Sequence, residues 1–533
     1  MGKFRATKIN FSGLTYTEWP PLGQFLFGFD SNDDFMKKID SVGNITIIGD
    51  GIGTGGTLTD LIVTGGTYSN PTGTATYTNI TGGTFDVVGF KTGDTYWVSG
   101  SSGNNSIKAN NGSGLDATGN YSVAEGFNTI ATGNTSHAEG SATIADGSSS
   151  HAEGSGTTAS GLISHAEGGF STASGSYSHS QGNLTIASGI YSHAEGNQTT
   201  ALTTGSHASG NATTAGLANF GTYSHTEGST TTTQGNNSHA EGFLTYAGGN
   251  LSHAEGEGTR TTGQGSHAEG YYSISRSSSS HAEGSNTIAF ATGSHTEGNQ
   301  TVTQGQHSHA EGYATLASGQ YSHAEGGITT ASGQYSHSEG LSTTAIGDSS
   351  HAEGIDTKAY GRASNVIGEY GITTRMTEFA HGTNGFGSGT PGASQRMTSI
   401  VNTSTQDSGQ VREMYVDGSS LRLTISADTM WKFTVDLVGA QQVGNTYTNS
   451  LGRQFQGIIK NVTGATTVLP NLIPVGSYVI QSSQDVELTT ANAEIDLTAS
   501  TFNNALVVSV SGETGKIIRW VASVDMVQVK TLG

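Results

Sequence analysis

The chain has 533 residues, with 80 glycines, 6 prolines, no cysteine and a formal net charge of −21. Without cysteine there is no disulfide framework and no thiol chemistry, the acidic balance argues against the basic patch of a nucleic-acid surface, and no apolar run is long enough for a membrane helix. Aliphatic residues are sparse for this length, so a lone subunit would bury little and stability is expected from stacked repeats and from chains wrapping one another.

Met1-Gly2-Lys3-Phe4-Arg5 is followed by no apolar core of a signal peptide, and with no cysteine this fits assembly in a reducing cytosol. Residues 4–40 are dense in aromatics, among them Phe4, Phe11, Trp19, Phe25 and Phe35, so residues 1–40 read as a compact plug or a docking segment. Residues 41–120 alternate short Thr/Val runs with Gly-Gly corners. Val63 to Tyr68 is echoed by Ile80 to Phe85, a pattern of β-hairpins or a threaded β shaft.

From about Tyr121 to Gly368 a single phrase recurs. Ser136-His137-Ala138-Glu139-Gly140 returns down to Ser350–Gly354, and its histidines fall fourteen residues apart except for eighteen between His207 and His225. Fixed-period self-similarity sets the fold class. Ala131, Ala138, Ala145 and Ala152 show an inner period of seven, but a coiled coil needs large apolar residues at two positions per heptad, and a glycine every seven residues costs a helix about 1 kcal/mol each. Two short strands per fourteen residues remain, with glycine supplying positive φ at the corners. The expected fold is all-β, a parallel β-roll or solenoid.

Alternation along a strand places the alanines, with Ser180, Thr226, Thr296 and Ser338 as near-isosteres, inside the roll. Histidine and glutamate then point away from it. Outward positions of the second half-turn drift freely (Ile130, Ile144, Thr158) while the His/Glu column does not, which suggests that this column faces another copy of the chain. Fifteen of the 42 acidic residues are column glutamates, and without them the net charge would be −6. The extra residues around Leu217-Ala218-Asn219-Phe220 are expected to leave the stack outward, because a register slip would flip every later side chain.

The phrase Ser-His-Ala-Glu-Gly-x-x-Thr-x-Ala-x-Gly resembles the YadA-head-type repeat of trimeric autotransporter adhesins and phage fibres. The usual adhesin form has Val and Ile where this chain has His and Glu, and Ser122-Val123-Ala124-Glu125-Gly126 and Asn365-Val366-Ile367-Gly368 slide back toward it. The resemblance implies a left-handed roll and a homotrimer with the His/Glu faces turned to the axis. Representative axial pairs are His137 and Glu139, His151 and Glu153, His165 and Glu167, His239 and Glu241, His323 and Glu325, and His351 and Glu353. In such a trimer each imidazole would donate to a glutamate of a neighbouring chain, since buried carboxylates need partners. Imidazole with carboxylate is also a competent shell for zinc, nickel or iron, which leaves a metal alternative at His137, His151, His165, His309 and His323. A catalytic triad is disfavoured, because adjacent residues such as Ser136 and His137 point to opposite faces, and no cofactor motif is present.

Residues 369–400 read as a glycine-rich neck. Residues 401–533 alternate as strands do, Met430 to Val438 most clearly, with further strands expected over 411–416, 421–425, 455–462, 478–481, 486–489, 495–498, 505–510, 517–523 and 527–529. They predict an antiparallel β-sandwich. Trp431-Lys432-Phe433, Phe455–Ile459 and Gly512–Ala522 resemble a C-terminal domain of phage fibre proteins. Taken together, the resemblances imply a virion fibre or spike without enzymatic activity. Its N-terminus would join a tail or head protein, its roll would act as a spacer, and its tip would touch a host receptor or glycan without membrane insertion. Contact candidates are Tyr447 and Phe502 in loops 439–452 and 490–503, with a third loop at 469–477. A bacterial trimeric adhesin is the alternative reading. A glycan depolymerase is the third, and it would need paired acids from among Asp417, Glu487, Glu494 and Asp496.

Overall fold

The structure is a computed structural model that describes residues 26–29, 36–39, 45–47, 63–69, 74–79, 84–88, 97–109, 114–217, 220–383, 386, 390–406, 411–462, 465–468, 492–496 and 504–530. Most of the expected attachment segment, Phe502, loop 469–477 and the strands expected at 478–481 and 486–489 lie outside the described residues. The chain divides into two compact units. The first holds two antiparallel three-stranded meanders, Leu26–Phe29 with Met36–Ile39 and Ile45–Ile47, and Val63–Ser69 with Thr74–Asn79 and Thr84–Val88. The second meander lies in the span that reads as β-hairpins, although Gly65-Gly66 falls inside its first strand and not at a corner.

The second unit is dominated by a parallel β-solenoid of about 19 turns. Most coils give one five-residue strand and one two-residue strand, as in His137–Ser141 and Ile144–Ala145. Coils stack in perfect register, with His137 opposite His151, Ala138 opposite Ala152 and Glu139 opposite Glu153. The eighteen-residue step keeps that register too, since His207 pairs with His225 and Thr214 with Thr232. The extra residues are taken up in a bump where Leu217 and Phe220 exchange backbone hydrogen bonds.

The interior is as narrow as the alternation requires. Column alanines such as Ala138, Ala152 and Ala254 are fully buried, as are Ser180, Thr226, Thr296 and Ser338. Ser136 is buried with them and donates its hydroxyl to the Gly133 carbonyl at 2.7 Å.

The glycines meet the expectation of positive φ in the column from Gly126 to Gly368 and depart from it in the Gly133 column. Gly140 has φ +111°, and a Cβ there would lie 2.1 Å from the Gly154 carbonyl oxygen. Gly133 has no positive φ, yet a Cβ there would lie 1.9 Å from the Gly147 oxygen. Positive φ and close approach of successive coils together reserve the Gly140 column for glycine, whereas the Gly133 column also takes Thr203, Ser277, Ala291 and Arg375. The left-handed corner itself is held by residues such as Thr135, Ile163 and Tyr177, with φ between 53° and 59°. A side chain pays steric strain there, and the conformation is fixed by inter-coil bonds such as Thr135 N–H to the Asn120 carbonyl at 2.7 Å.

The stack continues past the last full phrase. Asn365–Gly368 pairs in parallel with Phe379–Gly382, which pairs antiparallel with Ser394–Thr405. Residues 369–382 thus belong to the last coils, and a twelve-residue strand begins inside the span that reads as a neck. Its Ser/Thr/Asn-rich sequence hides the strand. Ser394–Thr405, Ile517–Lys530, Thr429–Val443 and Thr446–Val462 form one antiparallel sheet, so the strands expected at 517–523 and 527–529 are a single strand. A smaller sheet joins Val411–Glu413, Asn492–Asp496, Ala505–Ser511 and Leu423–Thr424. Trp431, Phe433, Leu437, Trp520 and Met526 are buried in one cluster with Val508, Val510 and Leu423, and Ala352, Ala359 and Val366 of the last coils belong to it. No α-helix occurs among the described residues.

Candidate functional site

The long strand of every repeat turns histidine and glutamate to the outer face because alanine between them occupies the interior. All twelve residues from His137 and Glu139 to His351 and Glu353 singled out above lie in that one column. Consecutive imidazoles stack with centroids 4.7–4.9 Å apart, from His137–His151 to His337–His351. This spacing is the distance between hydrogen-bonded strands, so backbone register sets it.

In thirteen of the sixteen column histidines, Nε2 lies within 4.0 Å of a carboxylate oxygen without bonding to it. His267 is 3.4 Å from Glu269 of its own coil, and His151 is 3.6 Å from Glu139 of the preceding coil and 4.0 Å from Glu153. All sixteen Nε2 atoms of the column are buried and lack a hydrogen-bond partner. The rings themselves are only about half-buried. Burial first, and then the neighbouring histidines, holds His137, His165, His239, His309 and His351 below the usual imidazole range.

The carboxylates run in a parallel file, interrupted at Gln181 and Ser209. Along the first coils Glu125, Glu139, Glu153, Glu167 and Gln181, with the glycines that follow them, line an open groove of about 850 Å³. Burial and the carboxyls of Glu325 and Glu297 push Glu311 up to about 7. Close His/Glu/His triads include His151, Glu153 and His165, and His295, Glu297 and His309.

Ser136 and His137 face opposite sides as expected, Ser136 inward and His137 outward. In the C-terminal region Tyr447 is 66% exposed and borders a pocket of about 480 Å³ with Asn402, Gln442 and Arg519. Its segment is the far end of the hairpin joining Thr429–Val443 to Thr446–Val462, where only Gly444 and Asn445 form the turn. Asp417 accepts backbone N–H groups of Ser419, Ser420 and Leu421 at 2.8–3.0 Å, which hold its carboxyl below the usual range. It is thus committed to its own turn. Glu494 and Asp496 sit on Asn492–Asp496, and Glu487 lies outside the described residues.

Sequence reasoning missed three features. Tyr177 stacks on Tyr191, and His307, Tyr321 and Tyr335 form a second stack. Asn183, Asn197 and Asn211 form an amide ladder with 2.8 Å steps. Both were findable from their fourteen-residue spacing. The third, an ion pair of Arg375 with the buried Glu378, has no such signal.

No protein-family model matches the chain, and no curated protein matches it. Among solved structures it is similar to the tailspike protein gp49 of Acinetobacter baumannii bacteriophage Fri1, described as a capsular polysaccharide depolymerase. Identity is 11%, coverage is 76% of this chain and 79% of that one, and the TM-score is 0.21. At that score the likeness carries no argument, either for an enzyme or against one.

Proposed function

We propose that this chain is a structural and adhesive fibre or spike of a phage virion, built as a homotrimer with the His/Glu columns turned to a common axis. One observation carries the reading: sixteen buried imidazole nitrogens stand in a file on one outward face without hydrogen-bond partners. Buried polar groups left unpaired are costly, and repeating that cost sixteen times is explained if neighbouring chains supply the partners. Beside each nitrogen runs a glutamate file of the complementary type. In this reading the N-terminal segment joins the particle, the stacked coils hold the tip away from it without the entropy of a flexible linker, and the C-terminal sheets with Tyr447 meet the host surface.

Light scattering of the full chain tests the assembly. Three times the chain mass is expected, and a monomer at micromolar concentration overturns the trimer. Labelling intact particles with antibody to residues 400–533 tests the location, and a glycan-release assay on host envelope separates a binder from a depolymerase.

A further inference from the structure

Most column histidines have a carboxylate oxygen within 4.0 Å from one coil only. His137, His151 and His323 have one from their own coil and one from the preceding coil, and His323 has the tightest pair, with Glu311 Oε1 and Glu325 Oε2 each 3.6 Å from its Nε2. These separations are too long for hydrogen bonds. Zinc bonds to nitrogen and oxygen of about 2.0–2.2 Å place neighbouring ligands of a tetrahedral shell about 3.4 Å apart, close to what is found here.

We propose that His323, Glu311 and Glu325 form a binding site for a divalent transition-metal ion of the zinc class. Each residue contributes what the site needs. The His323 Nε2 is buried and has no hydrogen-bond partner, so a lone pair is available there once the proton resides on Nδ1. Glu311 and Glu325 belong to consecutive coils held in register, so the preceding coil and the histidine's own coil each bring one carboxylate to that nitrogen. Glu297, one coil earlier, adds a third carboxyl against Glu311, and a cation would relieve the repulsion among them. Three protein ligands leave a coordination position open.

The site is built from one chain and does not depend on the trimer; at this coil the metal takes the Nε2 in place of a neighbouring chain's carboxylate, and the other column nitrogens keep the trimer reading. The sequence provides an internal control at Glu195, whose neighbours along the file are Gln181 and Ser209. His193 therefore has a carboxylate within reach on its own coil only.

The test measures zinc content of full-length protein by elemental analysis, after chelator washing and equilibration with zinc chloride. Wild type is expected to hold one more zinc per chain than the E311Q/E325Q variant, and the E195Q variant is expected to match wild type. Equal zinc in wild type and E311Q/E325Q overturns the site, and so does an equal loss in E195Q, which would mark a diffuse charge effect. Gln181 already occupies the same column, so glutamine is expected to be tolerated. Should the double variant fail to fold, His323→Gln carries the same comparison.

Discussion

The coil stack and the C-terminal sheets solve the burial problem in opposite ways, although the last coils share a core with the sheets. The stack buries alanine, serine and threonine and has no room for more, so its apolar gain per coil is small at ~0.8 kcal/mol per CH₂ group. What it repeats is the backbone ladder, and stability becomes a sum of coil-to-coil terms. The sheets instead bury Trp431, Phe433 and Trp520, with each indole N–H satisfied, Trp431 by Gln528 at 2.8 Å and Trp520 by Thr405 at 3.0 Å. Backbone clearance should therefore limit the first region, and side-chain packing the second.

The sharpest way to break this contrast is to add one methyl group to the stack. Gly140→Ala combines a left-handed backbone with a 2.1 Å clash against the Gly154 oxygen. It is expected to cost upwards of about 4 kcal/mol and to open a protease-sensitive site at that coil, mapped by limited proteolysis. Wild-type resistance there would show that the coils can separate cheaply.

Removing a large side chain tests the other region. Trp431→Ala should destabilise the C-terminal sheets by about 3–5 kcal/mol. In denaturant, near-ultraviolet signals of the sheets should shift while protease resistance of the coils over 121–340 stays unchanged.

Arg375 probes the seam between the regions. It pairs with Glu378, which is 1% exposed, and its guanidinium lies 4.7 Å from the Trp431 ring. Arg375→Ala leaves a buried carboxylate with only the backbone N–H groups of Thr374 and residue 375, at an expected cost of about 3 kcal/mol. Calorimetry should then separate coil and sheet transitions, whereas an unchanged single transition would count against the seam.

Acid sharpens the comparison with a smaller effect. Histidines such as His193, His207, His267, His281 and His337 are held below their ordinary value of 6.5, burial being the main cause. The unfolded chain then binds more protons below that pH, so coil stability should fall as pH drops through about 6.5. Glu311, raised to about 7, acts in the opposite sense between its ordinary 4.5 and 7, but it is one group against many. The coil transition should move down in temperature between pH 7.5 and 5.5, and a rise would refute the sign.

Asn197→Ala should have the smallest effect. It removes one exposed rung of the amide ladder and should cost at most about 1 kcal/mol in thermal unfolding.

Much of this was legible because the repeat is short and strict. A period of fourteen with alanine at fixed parity allows one register, and register alone places His137 to His351 in a single outward file. The corners were less legible. Glycine does supply positive φ in the Gly140 column, but Ile163 and Tyr177 hold a second left-handed position fixed by inter-coil hydrogen bonds that are invisible in sequence. The strand Ser394–Thr405 was hidden since its partner, Ile517–Lys530, lies more than a hundred residues away.

The sequence by itself determined the coil, its stacking and the face each column takes, because all three follow from local periodicity. Only the tertiary structure decided which histidine meets two carboxylates and how Arg375 reaches Trp431. It also decided that glycines such as Gly140 serve clearance between coils as well as positive φ. Those are distances between segments far apart along the chain, and no pattern of residue types within one repeat encodes them.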